Sequence, residues 1–305
     1  MTVPVVVAAD LSFESTVPRA MVHRHAVSEV FLTDSARLSE SEYLVAAHLP
    51  TTHAFFGDLV HNGHADPQFF VEVSRQACVL LAHRYYGVPR GYGFVFRRST
   101  TEVVDRAALR LSPSPARVVL RVEVRDVEYR QGTAHLMDLA LVAEVDDRPA
   151  IRFTGTQLML PRETFAVLRA AHTARLVPGR QDGPPLHPGR VGRTDPRNVV
   201  LSPGPAEGVF ELVVDQTHPV FFDHPQDHVP GLLLVEAFQQ AAFAALGPEP
   251  APELVSLDLA FDRFVELGVT VRVHTEVAPG AGPRAVAVRL VQAGDTAATA
   301  TVRVR

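Results

Sequence analysis

The chain contains one long motif twice. "HADPQFFVEVSRQA" begins at His64 and "HVPGLLLVEAFQQA" at His228, so that Phe69 and Phe70 fall on Leu233 and Leu234, Glu72 on Glu236, and Gln76 on Gln240. The likeness runs upstream: "HAFFGD" at His53 matches "HPVFFD" at His218, and "EVFLTD" at Glu29 matches "NVVLSP" at Asn198. A repeat this long constrains each half to fold as the same supersecondary unit, and 305 residues suit about two domains.

Each half opens with short β-rich runs ("YLVAAHLP", "FELVVDQ"), crosses a loop with histidines, and enters one long apolar helix. Period-two strands follow: "GYGFVFRR", "TEVVDRAALRLS", "ARVVLRVEVRDVEYR", "TAHLMDLALVAEV" and "AIRFTGTQLML" after the first helix, then "LVSLDLAFDRFVEL", "VTVRVHTEVA", "RAVAVRLVQA" and "TAATATVRV" after the second. One helix wrapped by antiparallel strands is an α+β layer arrangement. The expected division is an N-terminal extension over 1–20, a first module over 21–160, a connecting helix and linker over 161–197, and a second module over 198–305. The connecting helix is "PRETFAVLRAAHTARL", with Pro161 in its first turn, and the Pro-, Gly- and Arg-rich stretch 178–208 reads as a surface crossover.

Glu72 and Glu236 stand inside helices that are otherwise built for burial, and a carboxylate there needs a partner or a task. Gln76 and Gln240, one turn on, share their faces and can hold them by hydrogen bonds. The two helix starts differ in chemistry. Gly231 opens the second helix with a free N–H at the positive end of the dipole, whereas the matching Pro67 has none and suits a first turn with Asp66 as N-cap. "HNGH" places His61 near His64, and "HPQDH" places His224 near Asp227 and His228; neither has the spacing of a helical zinc site, so no metal is expected.

Other classes fall away on composition. The chain has no lysine, so all 29 basic residues are arginine and Schiff-base and P-loop chemistries lose their amine. A net charge of −5 gives no footprint for nucleic acid or an anionic membrane. Absence of a basic n-region and of a 20-residue apolar run leads us to expect neither a signal peptide nor a membrane helix. The single cysteine, Cys78, lies in an apolar helical pattern and reads as a buried structural thiol of a reducing cytoplasm.

A strand-rich module around one helix, with "HP" before "PG" and "EAFQQA" within the helix, resembles the hotdog fold of acyl-carrier-protein dehydratases and thioesterases. The duplicated form, with "VHR" at Val22, "VSEVFLTD" at Val27, "HADPQFFVEVSRQA" and "FFDHPQDHVPGLLLVEAFQQAA", resembles more specifically the A-factor biosynthesis (AfsA) family, tandem-hotdog enzymes of actinobacterial signalling, over about residues 20–305. The resemblance implies a double hotdog fold, no cofactor, and transfer of a β-ketoacyl chain from acyl carrier protein to the hydroxyl of dihydroxyacetone phosphate, the first step toward γ-butyrolactone-type autoregulators. It implies a cytoplasmic enzyme, monomer or homodimer, without nucleic acid or membrane partners. The alternatives are a dehydratase or thioesterase on acyl carrier protein, or a non-catalytic acyl-binding regulator.

Such a transfer needs a base for the hydroxyl, donors for the oxyanion and a cation for the phosphate. In hotdog dehydratases a histidine and a glycine N–H of one module meet an acid on the partner's helix. Carried over, that rule pairs His224, His228 and Gly231 with Glu72 as base or as a histidine-orienting group, and leaves Glu236 facing His61 or His64. The competing reading of both glutamates is a structural acid bonded to a backbone loop. Candidate substrate contacts are Arg75, one turn from Glu72, strand residues Arg97 and Arg263, and His64, Gln76 and Gln240. Direct transfer is preferred to an acyl-enzyme because no base is evident beside Cys78.

Overall fold

The structure is a computed structural model that describes residues 10–305 apart from 60–62, 113, 174–175, 248–251 and 281. His61 therefore lies outside the described residues. Two compact units are present: Met1–His53, Gly63–Phe96 and Thr101–Arg162 form one, and Ala54–Asn62, Arg97–Thr100 and Glu163–Arg305 the other.

In the first unit, β1 (Leu32–Arg37), β2 (Glu42–His48), β3 (Gly93–Val103), β4 (Arg117–Arg130), β5 (Thr133–Val145) and β6 (Arg148–Leu160) are ordered β1-β2-β4-β5-β6-β3. Neighbours from β1 through β6 pair antiparallel. Along β4, buried Val118, Leu120, Val122 and Val124 alternate with exposed Arg121 and Glu123, the period-two pattern of a sheet with one dry face. The central helix α1 (Pro67–Tyr85) packs on β1, β5 and β6. As expected, Asp66 caps it, its carboxylate accepting the Gln68 N–H at 2.9 Å, with Pro67 at the first position. The described part of the N-terminal extension belongs to this core, where Leu11 packs with Leu44, Ala46 and Val119.

The second unit repeats the design. After α2 (Arg162–Thr173) come β7 (Leu201–Pro203), β8 (Val209–Leu212), the helix α3 (Gly231–Leu246), β9 (Leu254–Phe261), β10 (Val271–Val277), β11 (Arg284–Gln292) and β12 (Asp295–Val304). Their order, β9-β12-β11-β10-β8-β7, is that of the first unit read from the other edge, and α3 packs on β7, β10, β11 and β12. Corresponding hairpins turn through positive φ at Gln131-Gly132 and Ala293-Gly294, the twist that a two-residue connection requires.

Three expectations change. "TEVVDRAALRLS" is not a strand of its own: its start completes β3, and Asp105 then caps a 3-10 turn over Arg106–Leu109 by accepting the Ala107 N–H. "LVSLDLAFDRFVEL" is a strand only through Phe261, so Arg263 stands in the loop beyond β9. The stretch 178–208 is no plain crossover, because Leu186, Val191, Val199 and Leu201 are buried and Arg193, 1% exposed, is among the largest buried side chains.

Candidate functional site

Both buried glutamates are wired alike, each within its own unit. Glu72, 1% exposed, accepts from Arg24 Nε at 3.1 Å, from Arg75 Nε and Nη2 at 2.8 Å each, and from Gln76 Nε2 at 2.6 Å. Gln76 also accepts the Phe31 N–H at 3.1 Å and donates to the Glu29 carbonyl at 2.8 Å. In the second unit Arg193 grips Glu236 with Nε and Nη2, both at 2.7 Å, and Gln240 Nε2 donates at 2.5 Å. Gln240 accepts the Val200 N–H at 2.9 Å and donates to the Asn198 carbonyl at 2.7 Å, the repeat of the Gln76 bonds. Nη1 of Arg193 further donates to the Phe55 and Asp58 carbonyls at 3.0 Å.

The arginines end equivalent turns. Arg24 N–H donates to the Arg19 carbonyl at 3.0 Å and Arg193 N–H to that of Pro188 at 3.1 Å, each after a left-handed residue, His23 (φ 52°) or Gly192 (φ 77°). Sequence reading missed both, although "VHRHAVSEVFL" and "VGRTDPRNVVL" set them in one frame with the EVFL and NVVL matches. A repeated turn, arginine, helical carboxylate and helical amide form an anchor that ties the helix to the preceding segment.

That geometry makes Glu72 a poor proton acceptor. Burial alone would push its carboxyl up, but the Arg24 and Arg75 guanidinium groups, with hydrogen bonds from Arg75 and Gln76, outweigh burial and hold it at about 2. The expected base is therefore an ion-paired strut. Arg75 Nη2 also donates to the Val22 carbonyl at 3.2 Å, so both its Nε and Nη2 are engaged within the first unit.

The helix starts keep the predicted asymmetry. Pro67 and the Asp66 cap close the N-terminus of α1, while α3 starts after Pro230 with no side-chain cap. The first intrahelical bonds reach Leu233 and Leu234, whose N–H groups donate to the Pro230 carbonyl at 3.0 and 3.2 Å. Gly231 is exposed, and a Cβ built on it meets nothing within 4 Å. Gly231 thus stands exposed at the positive end of the helix, with open space where a side chain would be.

The loop before α3 supplies two Asp–His pairs. His224 Nδ1 bonds Asp223, whose side chain is fully buried, and its Nε2 bonds Gln226 at 2.6 Å, so both ring nitrogens are occupied. His228 Nδ1 bonds Asp227 at 2.6 Å, and among the described residues its Nε2 has no hydrogen-bond partner. Phe264 meets the His228 ring edge-on at 5.0 Å and Phe165 lies at 6.4 Å. Burial pushes the imidazole below its ordinary value against the raising effect of Asp227, which favours the neutral ring with Nε2 as acceptor.

The remaining candidates are dispersed. The backbone of His64 bridges that of Arg110 in the first unit, Arg97 is exposed on β3, and half-exposed Arg263 pairs with Asp295 at 3.2 Å. Cys78 is 1% exposed, and burial pushes its thiol up to about 12, which disables it as a nucleophile at neutral pH. Among the described residues, no group of three or more His, Cys, Asp or Glu side chains converges as metal ligands do, and no helix is long and apolar enough to cross a membrane.

The family model of the A-factor biosynthesis hotdog domain matches residues 7–161 and 178–305. A protein of Streptomyces griseus named 2-oxo-3-(phosphooxy)propyl 3-oxoalkanoate synthase is 32% identical, over 90% of this chain and 91% of its own. One of the same name from Streptomyces virginiae is 33% identical over 88% and 89%. Among solved structures, a putative oleoyl thioesterase of Lactobacillus plantarum superposes with a TM-score of 0.52 at 13% identity, covering 87% of this chain and 96% of that one. An acyl-ACP thioesterase of Bacteroides thetaiotaomicron does so with 0.52 at 13%, covering 88% and 100%. At that identity these two likenesses bear on the fold, which is the thioesterase-like double hotdog.

Proposed function

The chain belongs to the A-factor biosynthesis hotdog family, and on that premise we propose that it transfers a β-ketoacyl chain from acyl carrier protein to the hydroxyl of dihydroxyacetone phosphate. The observation that carries the reading is the second unit's pairing of an uncapped helix start at Gly231 with a neutral, Asp-held His228 three residues before it. The names of the Streptomyces relatives describe a phosphooxypropyl ester of a 3-oxoalkanoate, which is the product of that transfer.

His228 Nε2 takes the hydroxyl proton while Asp227 holds Nδ1–H, and the oxygen attacks the thioester carbonyl. The developing oxyanion meets the Gly231 N–H at the α3 N-terminus. Collapse breaks the C–S bond, the imidazolium returns its proton to the leaving sulfur, and ester and carrier thiol result. His224, with both nitrogens engaged, shapes the loop. Glu72 and Glu236 are helix anchors rather than bases, with Gln76 and Gln240 completing each anchor. The phosphate cation is Arg263 or Arg97, because Arg75 is committed to Glu72. We take the reaction to run in the cytoplasm.

Mass spectrometry after mixing the protein with a β-ketoacyl carrier-protein thioester and dihydroxyacetone phosphate tests the proposal. A phosphorylated ester whose formation is abolished by His228→Gln is the expected result. Free β-keto acid would instead identify a hydrolase, and an unchanged thioester a binding protein.

A further inference from the structure

The His228 loop is held by a cluster to which the proposed transfer steps assign no role. Arg169 of α2, 6% exposed, donates from Nε to Asp227 Oδ2 at 3.2 Å and from Nη2 to the Asp227 carbonyl at 2.8 Å. The same guanidinium grips Glu266 with Nη1 and, at 2.5 Å, with Nη2, and it stacks over the Phe264 ring at 4.6 Å. Glu266 is 3% exposed, and its backbone is fixed on three sides: its N–H donates to Gln292 at 2.8 Å, and its carbonyl accepts from Gln181 at 2.9 Å and Gln292 at 3.0 Å. One planar fork thus joins α2, the loop before α3 and the loop after β9, whose Phe264 packs against His228.

The asymmetry between the carboxylates tells what the fork does. Glu266 is buried and braced, whereas the Asp227 side chain is 61% exposed and would rotate freely on its own. Two Arg169 bonds, one to its side chain and one to its carbonyl, fix Asp227 in the rotamer that meets His228 Nδ1. A structural ion pair would end at Glu266; this one continues to the imidazole.

We infer that Arg169, braced by Glu266, is a positioning residue for the reaction: it fixes Asp227 so that the Nδ1–H tautomer of His228 is kept and Nε2 faces the hydroxyl substrate. This rests on the reading of His228 as the base. The charged groups facing His228 are Asp227, Arg169 and Glu266, and the rings of Phe264 and Phe165 lie 5.0 and 6.4 Å from the imidazole. Arg169 neutralises Asp227 as well as orienting it, so its loss both loosens the imidazole and makes it easier to protonate. An ammonium would keep the charge but could not fork between two carboxylates and a carbonyl.

The test compares Arg169→Lys, the double variant Arg169→Met with Glu266→Gln, which removes both charges of the buried pair, and His228→Gln, by ester formation across a pH series. For the double variant kcat falls at least tenfold and by no more than the roughly 10²–10⁴ that a general base contributes, with KM for both substrates within about twofold and the acid limb of kcat/KM moved to higher pH. For Arg169→Lys kcat falls similarly but the acid limb stays in place. Unchanged kcat and an unchanged acid limb in Arg169→Lys and in the folded double variant, with His228→Gln inactive, would overturn the positioning role alone. Activity retained in His228→Gln would remove the base assignment beneath it. Should the double variant fail to fold, Arg169→Lys decides by itself, since a full parental kcat there excludes a need for the fork.

Discussion

Glu72 shows how the same side chain reads differently once its neighbours are known. A lone carboxylate in an apolar helix suggests a reactive group, but two guanidinium groups and an amide convert it into a fixed anion. Removing its charge breaks the ion pair with Arg24, itself 7% exposed, so Glu72→Gln is expected to cost about 3–5 kcal/mol in denaturant unfolding, as breaking a buried pair does. Glu236→Gln, which breaks the ion pair with the 1%-exposed Arg193, is expected to cost at least as much. Turnover per folded molecule should persist in Glu72→Gln; its loss with the fold intact would return that carboxylate to the chemistry. The pH dependence has a definite sign. The folded pKa of about 2 lies below the ordinary value of 4.5, so the contribution of Glu72 is fully present above that ordinary value and is lost as pH falls through about 2. Unfolding midpoints measured from about pH 5 downward should fall less steeply in Glu72→Gln than in the parent.

At the scale of elements, the two helix starts are a matched comparison supplied by the chain itself. Proline stands at the first position of α1 and is tolerated there because that N–H has no intrahelical partner. Pro230, at φ −59° and ψ 141°, has the extended backbone that a following proline demands. Gly231→Pro should therefore fold with a melting temperature within a few degrees of the parent while losing the oxyanion donor, lowering kcat by roughly 10²–10³. Gly231→Ala keeps the N–H, and its Cβ enters open space, so its kcat should stay near the parent's. Steady-state kinetics on the two variants separates a backbone donor from a mere need for glycine. This asymmetry was legible in the sequence, as were both long helices and the glutamine–glutamate bonds, because caps, prolines and one-turn spacings are local. Arg24, Arg193 and Arg169 were not, since an ion pair closing over tens of residues leaves no periodic trace. The Pro-rich stretch before β7 misled for a related reason: its one buried arginine is invisible until Glu236 is seen across from it.

On the scale of the whole molecule, duplication and divergence explain which features repeat and which do not. The glutamine bonds of the two anchors repeat one for one, because each module needs its own helix tied to its own leading segment. The sheet order repeats for the same reason. The copies differ in chemistry where each helix begins: His64, Asp66 and Pro67 in the first against Asp227, His228 and Gly231 in the second. The first copy spends its acid on capping the helix, whereas the second directs an acid to a histidine and leaves the helix end open. Selection for folding acts on both copies, but selection for proton transfer needs only one. It follows that His64→Ala and His228→Ala, substitutions at matched positions of the repeat, should have unequal effects. His228→Ala should lower kcat by about 10²–10⁴, the worth of a general base, with the unfolding midpoint little changed. His64→Ala should leave kcat within about threefold, because the helix it precedes offers no oxyanion donor to work with. Equal losses of turnover in the two variants would mean that both copies carry chemistry, and the assignment of the reaction to the second unit would fail.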